Sequence, residues 1–126
     1  MPASQRVLVV EDNDLNYSLV EFVLGQQGLL ISRADTGQQA LDMATADPPD
    51  LVFMDIQLPG MDGLEVTRRL RQNPLTQGVP IVALTALAMA GDEERVLAAG
   101  CDAYLSKPVS PVDLVAVASR FLDIRA

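Results

Sequence analysis

Histidine is absent from the 126-residue chain, and lysine occurs once, at Lys107, among nine basic residues. Without histidine there is no Ser–His or Cys–His nucleophile pair, no imidazole-ligated zinc and no phosphohistidine donor. The single cysteine, Cys101, leaves no internal disulfide. It follows Gly100 in an apolar stretch and is expected as a packed thiol. No apolar run reaches the roughly 18 residues of a membrane-spanning helix. Met1 to Arg6 lacks the apolar centre of a secretory signal, so a cytoplasmic protein without membrane insertion is expected. The net charge of -8 leaves no basic face to neutralise phosphates, which argues against nucleic acid. In a chain that otherwise takes arginine for its positive charge, the one lysine marks a place where a compact point charge is required.

What is present reads as one domain over residues 1–126, with 49% apolar residues to build its core. Short apolar runs predict strands at Val7–Val10, Leu29–Ser32, Leu51–Met54, Ile81–Leu84 and Ala103–Leu105. Helical patterns lie between them. Asp14 is expected to cap the first, running to about Gln26 with Gly28 as its stop. Thr36 caps a second through Ala46, and Asp62 a third from Gly63 to Arg71. The fourth covers Ala90 to Ala99 before Gly100. The fifth opens at Ser110-Pro111-Val112-Asp113, an N-cap serine followed by proline at the first helical position. Five strand–helix units in strict alternation predict an α/β fold, a doubly wound parallel sheet with helices on both faces.

In such a sheet all C-terminal strand ends share one edge, and ligands bind in the crevice outside it. Strand one ends in Glu11-Asp12, strand three in Asp55 and strand four in Thr85, while Ser106-Lys107-Pro108 follows strand five. Two carboxylates about 4 Å apart repel by roughly 4 kcal/mol at an effective dielectric of 20. Three would raise one another's pKa unless a cation joined them. Oxygen ligands without histidine or cysteine favour Mg²⁺, with Mn²⁺ able to substitute. The charges of Glu11, Asp12 and Asp55 balance those of a divalent cation and Lys107. Phosphoryl transfer to Asp55 would then place new oxygens among the cation, the Lys107 ammonium and the Thr85 hydroxyl. Asp55 is the expected nucleophile because its strand is central and apolar.

The segments VLVVEDND at Val7–Asp14, MDIQLPGMDG at Met54–Gly63, ALTA at Ala83–Ala86 and YLSKP at Tyr104–Pro108 resemble the response-regulator receiver family typified by CheY. The likeness extends over nearly the whole chain. Within the family it is nearest to DivK-type single-domain regulators and to the receivers of hybrid histidine kinases. The resemblance implies a flavodoxin-like, CheY-like sheet of order 2-1-3-4-5 with five helices. It implies that Asp55 accepts a phosphoryl group from a histidine kinase or phosphotransfer protein in a two-component phosphorelay, and that the chain is a switch rather than a turnover enzyme, catalysing only its own phosphoryl transfer and autodephosphorylation. It further implies Mg²⁺ held by Asp12, Asp55 and the Gln57 carbonyl, with Glu11 acting through water. Lys107 would pair with the phosphoryl and precede a cis peptide to Pro108, while Thr85 and Tyr104 move together as the switch. Glu11 stands where the family often has Asp.

Two rival chemistries lack their signatures. A haloacid-dehalogenase-type phosphatase needs a second acid two residues after its nucleophile, where this chain has Gln57. A dinucleotide-binding turn needs glycines after strand one, where it has Glu11-Asp12-Asn13-Asp14. The chain ends soon after the fifth helix, the expectation for a free-standing regulator. Leu15 and Phe22, off the core stripe of helix one, are expected to meet the phosphodonor. Leu87 and Met89, with Val112 and Val115 on an unusually apolar fifth helix, are expected to join Tyr104 on an output face built by helix four, strand five and helix five. That face would receive a downstream protein or a second copy of the chain.

Overall fold

The computed structural model describes residues 5–86 and 92–124. Five parallel strands, β1 (Arg6–Val10), β2 (Leu30–Ala34), β3 (Leu51–Asp55), β4 (Ile81–Thr85) and β5 (Ala103–Ser106), pair in the order β2-β1-β3-β4-β5. They alternate with α1 (Asp14–Gly25), α2 (Gly37–Ala46), α3 (Gly63–Gln72), α4 (Asp92–Ala99) and α5 (Pro111–Ala118). The period-two alternation of each strand sends its side chains to opposite faces. Val7, Val9 and Phe53 pack with Val20 and Leu24 of α1 and Leu114 and Val117 of α5. Leu8, Val10 and Met54 pack with Ala40 of α2, Leu64 and Leu70 of α3 and Val96 of α4. The expected doubly wound α/β fold is present, and β3 and β4 are buried along their whole length.

Three of the expected caps are found. Thr36, Asp62 and Ser110 accept hydrogen bonds from the backbone N–H groups of Gln39, Glu65 and Asp113. Helix α1 departs from expectation: Asn13, not Asp14, is its cap, accepting from the Asn16 N–H at 3.0 Å. Asp14 sits in the first turn, where its charge favours the helix N-terminus. Strand β2 begins one residue later and ends two residues later than its apolar run suggests. It is an edge strand, so its Ser32 and Arg33 face partly outward and hide the strand in a hydropathy reading. No helix among the described residues is long and apolar enough to cross a membrane.

Candidate functional site

The sheet topology brings the C-terminal ends of β1, β3, β4 and β5 side by side. Asp55 is the last residue of β3 and only 2% exposed. Register fixes it: Asp55 pairs with Leu84 of β4, and the next N–H, from Ile56, donates to the Leu84 carbonyl. Glu11 follows β1, its N–H donating to Ala34 of β2, and its side chain is fully buried. Lys107 follows β5, its N–H donating to the Thr85 carbonyl at 2.8 Å, and the Lys107–Pro108 peptide is cis. The Lys107 Nζ stands 3.0 Å from Glu11 Oε2 and 3.2 Å from Asp55 Oδ1. Thr85 is buried at the end of β4.

One ammonium therefore bridges two buried carboxylates, those of Glu11 and Asp55. Burial pushes the Asp55 carboxyl up to about 6, and Glu11 adds to the rise. The Gln57 N–H, 3.0 Å from Asp55 Oδ1, and Lys107 oppose it without cancelling it. For Lys107 burial works to lower the pKa, but hydrogen bonding and attraction from Glu11 and Asp55 outweigh it and hold the ammonium charged.

Glu11, Asp12 and Asp55 each offer a carboxylate oxygen, all within 4.8 Å of one another. Counted with Lys107, the ionised cluster retains a formal charge of about -2. Glu11 Oε2 is buried and, although ion-paired with Lys107, lacks an aligned hydrogen bond. Asp12 is exposed, and no hydrogen bond or ion pair holds its side chain among the described residues. An all-oxygen set, excess negative charge and an under-satisfied buried oxygen fit a hard divalent cation that keeps part of its water. Gln57 has an exposed side chain and enters the site through its backbone.

Leu15 and Phe22 are 82% and 67% exposed on α1, as expected for side chains outside the core stripe. The grouping expected around α5 is different. Val112 and Val115 line, with Leu19, Phe22 and Val23 of α1, a groove of about 540 Å³. The apolar surplus of α5 thus opens toward α1, because Leu114, Val117 and Ala118 take the sheet-facing positions and Leu122 is buried beyond the helix end. Leu87 and Met89 lie outside the described residues. Tyr104 is half-buried on β5 and hydrogen-bonds Glu93 of α4, whose charge raises the phenol pKa.

Three contributors escape a sequence reading. A Cβ on Gly63 would lie 2.2 Å from the Asp55 carbonyl oxygen, so α3 abuts the Asp55 peptide itself. The only sequence signal is the Asp62-Gly63 pair opening a helix. Glu93 is one acid in a run of three residues, Asp92-Glu93-Glu94, with nothing local to single it out. Arg33, near the end of β2, donates to the Glu11 carbonyl and to Asp14, 22 and 19 residues away.

The model of the response regulator receiver domain matches residues 7–119. The polar-differentiation response regulator DivK of Brucella anthropi is 47% identical over 110 residues, covering 87% of this chain and 88% of its own. That of Brucella ovis is 46% identical over 107 residues, covering 85% and 87%. Among solved structures, a putative response regulator from Chloroflexus aurantiacus superposes with a TM-score of 0.91 at 35% identity, over 96% of this chain and 99% of that one. The receiver domain of a Pseudomonas aeruginosa sensor histidine kinase, with magnesium coordinated in its active-site cleft, gives 0.87 at 38% identity, over 94% and 98%.

Proposed function

The chain belongs to the response regulator receiver family of two-component phosphorelay signalling, and from that premise we propose that Asp55 is its phosphorylation site. The observation carrying this reading is the meeting of a buried Asp55 with Lys107, Glu11 and Thr85 at four adjacent strand ends. Glu11, Asp12 and Asp55, with the Gln57 carbonyl, would hold Mg²⁺. When bound, the cation neutralises the excess carboxylate charge and draws charge from the phosphoryl oxygens.

The chain's own residues supply the rest. In the transfer, the P–N bond of a donor phosphohistidine breaks as a P–O bond to Asp55 forms, and the imidazole leaves to take up a proton. The Gln57 N–H and Lys107 fix one Asp55 oxygen, which leaves the other to face the donor. Lys107 then pairs with the new phosphoryl charge, while the Thr85 hydroxyl donates to one of its oxygens. Tyr104 exchanges its bond to Glu93 for the space beside Thr85, which carries the change to the α4–β5–α5 face. That face, with Leu87 and Met89 before α4, receives a downstream protein or a second copy of the chain. Hydrolysis of the acyl phosphate by water resets the switch. We place the protein in the cytoplasm, with residues 1–126 as one receiver and α1 as the site where the histidine donor docks.

The test is intact mass after incubation with a small phosphodonor. A gain of one phosphoryl group is expected with Mg²⁺ and none with a chelator. Asp55→Asn is expected to abolish the gain, and an equal gain in that variant overturns the assignment.

A further inference from the structure

Arg33 touches four groups around the β1–α1 turn. Its Nε donates to the Glu11 carbonyl at 3.1 Å and lies 2.9 Å from Asp35 Oδ1. One terminal nitrogen donates to Asp14 Oδ1 at 2.9 Å. The guanidinium also lies over the Tyr17 ring, 4.7 Å from its centre, and Tyr17 is held by a 2.7 Å bond from its hydroxyl to Glu21. Only a quarter of the Arg33 side chain is exposed. A surface ion pair alone would count for little. A planar fork packed on a ring and joined to a backbone carbonyl is a fixed device.

The carbonyl it holds is the one between Glu11 and Asp12. Rotation about the Glu11 Cα–C bond would move that carbonyl and the Asp12 Cα together, and with them a carboxylate that no side-chain contact restrains among the described residues. The opposite side of the turn is tied by the Asn13 N–H to Glu11 Oε1 at 3.2 Å. We propose that Arg33 is a positioning residue for the cation site: it fixes the Glu11–Asp12 peptide so that both carboxylates meet Asp55. The proposal rests on the metal reading above and deepens it.

Charge and position oppose one another here, which makes the inference testable. Arg33 is a cation near a cation site, and it neutralises Asp14 and Asp35. If charge were its whole effect, removing it would tighten Mg²⁺ binding. If it positions the turn, removal weakens binding, since groups that orient ligands commonly govern about 10-fold or more of affinity. Glutamine separates the two further. Its amide nitrogen stands as many bonds from the backbone as Arg Nε, so it keeps the donor to the Glu11 carbonyl and discards the charge.

The experiment is calorimetric titration of the unphosphorylated protein with Mg²⁺ for wild type, Arg33→Ala and Arg33→Gln, with melting in chelator to compare folding. Arg33→Ala is expected to weaken Mg²⁺ about 5- to 10-fold. Arg33→Gln is expected to recover part of that loss, and saturating Mg²⁺ to restore phosphorylation by a small donor in both. Unchanged or tighter binding in Arg33→Ala, or a Gln variant identical to Ala, overturns the inference alone. Failure of the wild type to bind Mg²⁺ overturns the metal reading and this inference with it.

Discussion

The two margins of the cleft around Asp55 are built by different means. On the β3 side, backbone presses on backbone: the Gly63 N–H donates to the Ile56 carbonyl at 2.9 Å, and the site of a Gly63 Cβ is filled by the Asp55 peptide. On the β1–α1 side, Asp12, Asn13, Asp14 and Leu15 are exposed, and the turn is held by the Arg33 fork. The first margin has no freedom without moving the sheet, while the second moves at the cost of a few polar contacts. A nucleophile needs a fixed position, and a cation site needs ligands that adjust as solvent and phosphoryl oxygens exchange.

The sharpest way to break this contrast is to add one methyl group. Gly63→Ala is expected to cost about 3 kcal/mol or more, since a backbone carbonyl cannot yield as a side chain does. Gly25, at the end of α1, has nothing within 4 Å of the position a methyl group would take. Gly25→Ala should therefore change stability by less than about 1 kcal/mol, and toward greater stability. Urea unfolding of both variants measures the difference. Similar midpoints would mean that the β3 margin yields to a methyl group as readily as open space does.

Legibility in the sequence follows the same division. Strand β3 and its terminal acid are readable because a strand buried on both faces is a continuous apolar run, and Asp55 breaks it. The Thr36, Asp62 and Ser110 caps are readable because a cap acts on residues two or three positions away. Arg33 is not, because the partners that tie it to the site, the Glu11 carbonyl and Asp14, are far along the chain and meet it only once β1 and β2 have paired. Gly63 is hidden for the same reason: the need for glycine arises from the docking of α3 on β3. Val112 and Val115 are legible as apolar surplus, but which neighbour they open toward depends on which sheet face α5 occupies, and α1 shares that face.

A smaller effect concerns charge at the fixed margin. The Asp55 carboxyl is raised to about 6, so in metal-free protein its ionised form opposes folding. The folded protein then binds the proton more tightly than the unfolded chain. The penalty is fully present above pH 6, shrinks as the pH falls, and vanishes below the ordinary carboxylate value near 4. Asp55→Asn is expected to gain up to about 3 kcal/mol at pH 8 in chelator, a net figure in which the attraction of Lys107 for the carboxylate is already counted. The advantage over wild type should dwindle at pH 4, measured by melting at the two pH values. A gain independent of pH would show that packing, and not the buried charge, sets the difference.

The least effect on stability is expected at the open margin, where it separates docking from folding. Leu15 and Phe22 are mostly exposed, so truncation to alanine removes little buried area: well under about 1 kcal/mol for Leu15 and about 0.5 to 1 kcal/mol for Phe22. Phe22 also lines the α1–α5 groove, where a partner helix would cover its ring together with Val112 and Val115. If α1 receives the histidine donor, both variants accept phosphate from a small phosphodonor at the wild-type rate, because Asp55, Lys107 and the carboxylates are untouched. Transfer from the cognate phosphohistidine protein should fall about 5- to 10-fold, the loss of one buried apolar anchor. The paired rates decide the matter. A loss with both donors would place the defect in the site itself. Normal transfer from the protein donor would mean that these exposed side chains serve some surface other than the one that meets the donor.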